Sequence, residues 1–331
     1  MAEQILHNIY RIEIPLPNNP LKVLNSYIIK GSKRTLVIDT GMNMEECRNA
    51  MLSGLEEIGV NLEEIDFFIT HMHADHCGLI ASLVKSRPPP MIYCSWSAAT
   101  DIAELSKPEH WAKAKAIGHL IGFPDKELEC AINNHPGHKY CPKGQMNFSI
   151  YKDQDTFSAG GYNFTCIETP GHTAGHMCLY ETNKKILFSG DHILADITPN
   201  ISLGFSYERN LLFEYIENLE KILLLDTNLV LPGHRNLSTD CKTRIHEIKN
   251  HHQLRADEVL LILSNGSQNA YQVASQMTWD MTYESWEQFP VSQKWFASGE
   301  AIAHLKYLEE KMLVCKEERE EVYYYSLSER V

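Results

Sequence analysis

The chain has 331 residues, 44% hydrophobic and 22% charged, with 18 Gly and 14 Pro; at roughly 150 residues per domain this suggests two globular units and excludes disorder, collagen-like repeats and low complexity for most of its length. A net charge of −13 argues against a dedicated binder of duplex DNA or anionic membrane, which needs a basic face. The 9 Cys are scattered with no CxxC pair, which argues against a disulfide framework or a Cys-type zinc site and for free thiols in a reducing cytoplasm.

Along the chain, Ile9–Ile14 alternates apolar and polar residues, the period of a half-buried strand. Residues 25–30 and 34–39 read as two more strands, the second ending at Asp39-Thr40-Gly41. A helix is predicted from Met44 to Ile58, then a short buried strand, Ile65–Thr70, that runs into His71. A helix over 78–85 is predicted to end before Pro88-Pro89-Pro90, and residues 91–94 form the next strand. Residues 97–135 read as two or three helices and exceed what a strand–helix repeat needs, so they count as an insertion. Strands return over 151–180, at 185–189 and at 228–231, with a helix over 211–225. This alternation indicates an α/β layered domain over residues 1–240. Beyond it, helices over 246–264, 270–277 and 291–312 precede two strands, 313–316 and 322–327, around an acidic turn. That is the order of a winged-helix module over 241–331. No apolar run reaches the ~18–20 residues a bilayer span needs. Arg11, Glu13, Lys22 and Lys30 interrupt the start, so no signal peptide is expected and the location expected is cytoplasmic.

The 16 His carry the functional signal. Thr70-His71-Met72-His73-Ala74-Asp75-His76-Cys77-Gly78 sets three His and one Asp directly after a buried strand, which fixes where their side chains converge. Imidazole with carboxylate suits zinc, iron or manganese rather than calcium or magnesium. More candidates stand at later strand ends, in Thr169-Pro170-Gly171-His172-Thr173-Ala174-Gly175-His176, Ser189-Gly190-Asp191-His192 and Pro232-Gly233-His234. This supply exceeds what one ion uses, so two are expected. The glycines before the ligands suit tight turns and close backbone approach.

HxHxDHxG, TPGHTxGH, SGD and PGH in this order resemble the metallo-β-lactamase superfamily over about residues 5–240, in its binuclear, glyoxalase II-like hydrolase branch. The resemblance implies an αββα sandwich and two divalent ions, zinc first with iron or manganese as alternatives. It implies His71, His73 and His172 on one ion, Asp75, His76 and His234 on the other, and Asp191 bridging. Asp75 and Asp191 are the acids it makes catalytic, with a metal-bridging hydroxide as nucleophile. Asp39 is the family-like candidate for orienting a ligand histidine. His176 is expected to be buried behind the ligands, and His192 behind them or partly exposed. His135 and His138 are expected on a surface loop rather than in the pocket. Cys77 is read as a small buried residue.

Thr278-Trp279-Asp280, Trp286–Pro290 and Ala301/His304/Leu305 resemble the winged-helix tail of lactamase-β-like hydrolases, one eukaryotic relative of which cleaves single-stranded RNA. Residues 241–331 hold 10 Lys and Arg against 14 Asp and Glu, with an acidic wing, so phosphate tracking is disfavoured. The module is read as a packing or dimerisation surface walling the active site, which leaves a homodimer open. The expected reaction is hydrolysis of a small acyl substrate (thioester, ester or lactone), with a single-strand endoribonuclease or phosphodiesterase as the alternative. Nucleic acid and membrane are not expected partners. Trp96, Trp111, Ile117, Leu120 and Phe123 of the insertion are the candidate acyl-pocket lining.

Overall fold

The computed structural model describes residues 1–84, 89–203, 207–280 and 282–329. The first sheet has seven strands in chain order. They are β1 (Ala2–Leu6), β2 (Ile9–Pro15), β3 (Val23–Ile29), β4 (Thr35–Ile38), β5 (Ile65–Phe68), β6 (Ile92–Cys94) and β7 (Phe148–Ile150). β1 to β4 pair antiparallel, and β4 to β7 pair parallel. The second sheet runs β12-β11-β10-β9-β8. Its members are β8 (Thr156–Ala159), β9 (Tyr162–Glu168), β10 (Met177–Glu181), β11 (Ile186–Gly190) and β12 (Leu229–Pro232).

The two sheets pack face to face because their strands alternate. In β3 and β4, Tyr27, Ile29, Leu36 and Ile38 point to the second sheet and meet Phe164, Phe188 and Leu231. Ile28 and Val37 point the other way and pack into the helix-covered core. The Tyr27 ring meets Phe188 edge-on at 5.4 Å, and its hydroxyl donates to Pro232 O at 2.8 Å. This sandwich, with α1 (Glu45–Glu57) and α8 (Leu211–Leu223) among its outer helices, is the expected α/β architecture.

Several boundaries differ from expectation. β1 was not foreseen; none of its residues is fully buried and they pair only with β2 at a sheet edge, so burial does not impose a pattern. The stretch 74–83 holds two single turns, α2 (Ala74–Cys77) and α3 (Ile80–Leu83), rather than a loop and one helix. The expected helix end at Lys85 and Pro88 lies outside the described residues. The insertion contains four helices, α4 (Trp96–Glu104), α5 (Pro108–Leu120), α6 (Asp125–Asn134) and α7 (Pro136–Tyr140). The last is capped by His135, whose Nδ1 accepts from Gly137 N at 3.1 Å, with Pro136 at its first position, where a missing N–H costs nothing.

The tail begins with α9 (Cys241–Leu263), five residues earlier than expected, because the Asp240 side chain caps it by accepting from Thr243 N at 3.1 Å. It continues with β13 (Gln268–Asn269), which was not foreseen, α10 (Ala270–Ala274), α11 (Val291–Glu310), β14 (Val314–Arg319) and β15 (Val322–Leu327). β13, β15 and β14 form a small third sheet. Glu317 and Glu318 are strand residues, not turn residues; the turn is Glu320-Glu321, both left-handed at φ 51° and 62°. α11 is buried on most sides, packed on α6, α8, α9 and α10, and its residues share one hydrophobic cluster with the outer face of the first sheet. The buried Lys294 ammonium bonds both Glu127 oxygens of α6, at 3.1 and 3.2 Å. No described helix is long and apolar enough to cross a membrane.

Candidate metal centre and substrate cavity

The candidate ligands converge at the strand ends where the two sheets meet. His71 and His73 follow β5, and Asp75 and His76 sit on α2. His172 follows β9, Asp191 follows β11 and His234 follows β12. Asn25 anchors the last of these: its side-chain amide donates to Pro232 O at 3.0 Å and Arg235 O at 2.9 Å. Two glycines are required by contact. A Cβ on Gly190 (φ 48°) would lie 2.7 Å from His176 Nε2, and one on Gly233 would lie 2.6 Å from Asp191 Oδ1.

Three sets of donor atoms come together: His71, His73 and His172; Asp75, His76 and His234; and His71, His76 and Asp191. His73 Nδ1 lies 3.0 Å from His71 Nε2 and 2.9 Å from His172 Nε2. His76 Nε2 lies 3.3 Å from His234 Nε2. Asp191 sits between the first two sets, Oδ1 3.4 Å from His76 Nε2 and Oδ2 3.5 Å and 3.6 Å from His234 and His172 Nε2.

The outer hydrogen bonds fix the tautomers. His172 Nδ1 donates to Asn200 O at 2.8 Å, and His234 Nδ1 to Val23 O at 2.7 Å. Asp39 accepts from His76 Nδ1 at 2.7 Å and from the Thr70 backbone N and hydroxyl at 2.9 and 2.8 Å. With its proton given to Asp39, the Thr70 hydroxyl accepts from His71 Nδ1 at 3.0 Å. In its neutral form each of these four rings therefore turns an Nε2 lone pair inward. These rings and two carboxylates, with His73 Nδ1 about 3 Å from His71 and His172 Nε2, make a centre rich in acceptors. Asp191 Oδ1 is buried with no hydrogen-bond partner among the described residues. Such a centre suits bound cations, and the N/O donor set fits divalent transition metals.

The electrostatics divide the histidines. Burial, then the neighbouring imidazoles, hold His71 well below the usual histidine range, and burial and His172 bring His73 down to about 3, so both stay in the neutral, ligating form. Burial opposes charge on Asp75 and Asp191, yet the surrounding histidines hold both carboxyls below the usual range, Asp191 well below it. Burial likewise opposes charge on His76 and His234, but Asp191 and Asp39 outweigh it at His76, and Asp191 and Asp75 at His234, so both pKa values are raised.

Asp39 thus stands behind a candidate ligand histidine, where the sequence suggested. His176 is buried behind the set: its Nε2 accepts from Asp191 N at 3.1 Å and its Nδ1 bonds the Thr169 hydroxyl at 2.8 Å. His192 is fully buried beside Tyr215, not partly exposed. Cys77 is buried, as expected. Thr70, Asn25 and Asn200 were missed. Thr70, a hydroxyl abutting His71, was a findable signal; Asn200 lies in a loop with no pattern.

A cavity of about 1140 Å³ opens on His73, Asp75, His172 and Asp191. Its walls come from the 17–21 loop, the insertion, the 194–203 loop and α11. Trp111 and Ile117 line it as expected, joined by Ile121, Leu203, Trp295 and Phe296. Trp96 does not line it and is 68% exposed; Leu120 does not line it either, and Phe123 is buried against Tyr271 and Trp295. His135 lines the cavity, its ring tilted against Trp111 and Phe296 at 5.1 and 5.5 Å, whereas His138 is exposed.

The chain is similar to the probable metallo-hydrolase YqjP of Bacillus subtilis, 25% identical over 91% of this chain and 92% of that protein. It is 28% identical to a beta-lactamase-like protein 2 homolog of Drosophila melanogaster, over 72% of this chain and 68% of that one. It is 24% identical to an atrochrysone carboxyl ACP thioesterase of Aspergillus fumigatus, over 77% of this chain and 65% of that one. In fold it matches a metallo-beta-lactamase family protein of Thermus thermophilus, with a TM-score of 0.83 at 24% identity over 98% of this chain and 100% of that one. A beta-lactamase domain protein of Burkholderia ambifaria gives a TM-score of 0.79 at 21% identity, over 99% and 95%. The Metallo-beta-lactamase superfamily profile matches residues 21–118 and 150–234. With its metal-ligand order and two-sheet fold, the chain belongs to the metallo-beta-lactamase superfamily of hydrolases.

Proposed function

We propose that the protein hydrolyses a small acyl substrate, a thioester, ester or lactone, at a binuclear metal centre. The observation that carries this reading is a His/Asp centre with metal-ligand geometry opening on a large cavity walled in part by apolar and aromatic side chains. His71, His73 and His172 would hold one divalent ion, Asp75, His76 and His234 a second, and Asp191 both, with zinc favoured by the imidazole-rich set. Bound there, such ions acidify a water toward pKa ~7 and polarise the acyl oxygen. Asp39 and Thr70 keep the ligand rings in one tautomer, and Asp75 and Asp191 are the carboxylates that border both the centre and the cavity. Trp111, Ile117 and Phe296 give the acyl portion an apolar wall. A relative named as an ACP thioesterase supports the thioester member of the class.

The order α9, β13, α10, α11 and the β14–β15 hairpin supports a winged-helix reading of residues 241–331. Exposed Glu317, Glu318, Glu320 and Glu321 on that hairpin disfavour a nucleic-acid role. We take the tail as a wall of the substrate site, with a small molecule as the partner and a homodimer as the assembly to test.

A panel of acyl thioesters, lactones, bis-p-nitrophenyl phosphate and single-stranded RNA tests the reaction. Thioester or lactone turnover is expected; efficient RNA cleavage with inert acyl substrates would reverse the assignment. Asp191→Ala should lose at least one ion by elemental analysis, and two ions retained at full activity would remove its bridging role.

A further inference from the structure

We propose that Glu300, on tail helix α11, is a positioning residue for His172. The contact runs through Asn200, in the segment between β11 and α8. The Asn200 carbonyl accepts the His172 Nδ1–H at 2.8 Å, which aims His172 Nε2 at His73 and Asp191. The Asn200 side-chain amide is gripped by α11. It donates to the Glu300 carboxylate (Oε2) at 3.2 Å and to Phe296 O, one turn earlier, at 3.4 Å.

Glu300 is itself fixed. Its side chain is 14% exposed, and Oε1 lies 3.5 Å from Arg255 Nε on α9. Arg255 also bonds Thr278 O at 2.6 Å and Glu258. The loop lies close on α11 next to the clamp: a Cβ on Gly299 would come within 2.9 Å of the Ser202 Cβ. The residue that sets the direction of one imidazole in the catalytic sheet pair is therefore held by two helices of the tail. Partners behind a metal-bound histidine fix its tautomer and ring direction, and their loss costs about 10–100-fold in metal affinity or activity.

This rests on the metal reading above, and metal retention against a competing chelator, measured per chain by elemental analysis, separates the two. Wild type should hold two zinc ions; a wild type that binds none would overturn the metal reading and this assignment with it. Glu300→Ala should release one ion about tenfold or more readily, with kcat falling and KM little changed. Glu300→Gln keeps an oxygen that accepts from Asn200 and should retain both ions nearly as well as wild type. Asn200→Ala keeps the backbone carbonyl and removes no buried charge, so it carries the test if Glu300→Ala fails to fold; it should reproduce the loss. The double variant should lose no more than the worse single, because both cut one chain of contacts. Wild-type retention in Glu300→Ala, a change confined to KM, or additive losses would each overturn the assignment.

Discussion

Asp39 occupies a left-handed backbone position, φ 60°, which costs a non-glycine residue roughly 1–2 kcal/mol. What holds it there is three hydrogen bonds from Thr70 and His76, two of which bear on the tautomers of His71 and His76. Asp39→Asn replaces one acceptor oxygen with a donor and sets a buried N–H against others. We expect about 10–100-fold weaker metal retention, read by chelator competition; wild-type retention would show that the tautomers are held elsewhere. Asp101 is a second residue out of balance. Burial raises its carboxyl to about 6, with Arg209 opposing. A carboxyl raised on folding stabilises the protein fully only below its unfolded pKa of about 4, and that contribution is lost as pH rises through about 6. Asp101→Asn should therefore be more stable than wild type at pH 7–8, by about 1–2 kcal/mol after solvent screening. The gap should close toward pH 4 in thermal melts; an equal gap at all pH values would refute the cause.

At the scale of elements, the insertion is the least legible part of the sequence. Strands β2 to β5 were legible because one face or both are buried, so apolar period or run length marks them. Helices α5 and α6 were legible as helices, but which residues face the cavity depends on α11, some 170 residues away in sequence. Phe123 and Trp111 have equal claims by composition. Only packing sends Phe123 to Tyr271 and leaves Trp111 on the cavity, its Nε1 donating to Leu105 O at 2.8 Å. Trp111→Ala should cost about 3–5 kcal/mol of stability. It should also raise KM more for bulky acyl substrates than for acetyl ones; an equal rise for both would remove Trp111 from the acyl wall.

The whole molecule behaves as one packed body more than a two-unit reading of its length suggests. The tail closes the cavity, shares its hydrophobic cluster with the outer face of the first sheet and neutralises Glu127 with a buried Lys294. A fragment ending at residue 240 would expose the apolar faces of α6 and α8 and leave the Asn200 loop unsupported. We expect it to aggregate or to melt without cooperativity in calorimetry. A soluble fragment with a sharp transition and two bound ions would show that the first 240 residues fold alone.

The candidate ligand set was readable in the sequence itself, because each candidate stands within a few residues of a buried strand end that local pattern marks. The acidic balance and the two-sheet architecture were also readable there. Tertiary structure alone decided the direction of each imidazole, the cavity wall and the tail's hold on His172. Those depend on contacts such as Asn25 with Pro232 and Asn200 with Glu300, formed between segments that no local periodicity links. A strand end says where a side chain starts; the partner behind it, brought by packing, says where its lone pair points.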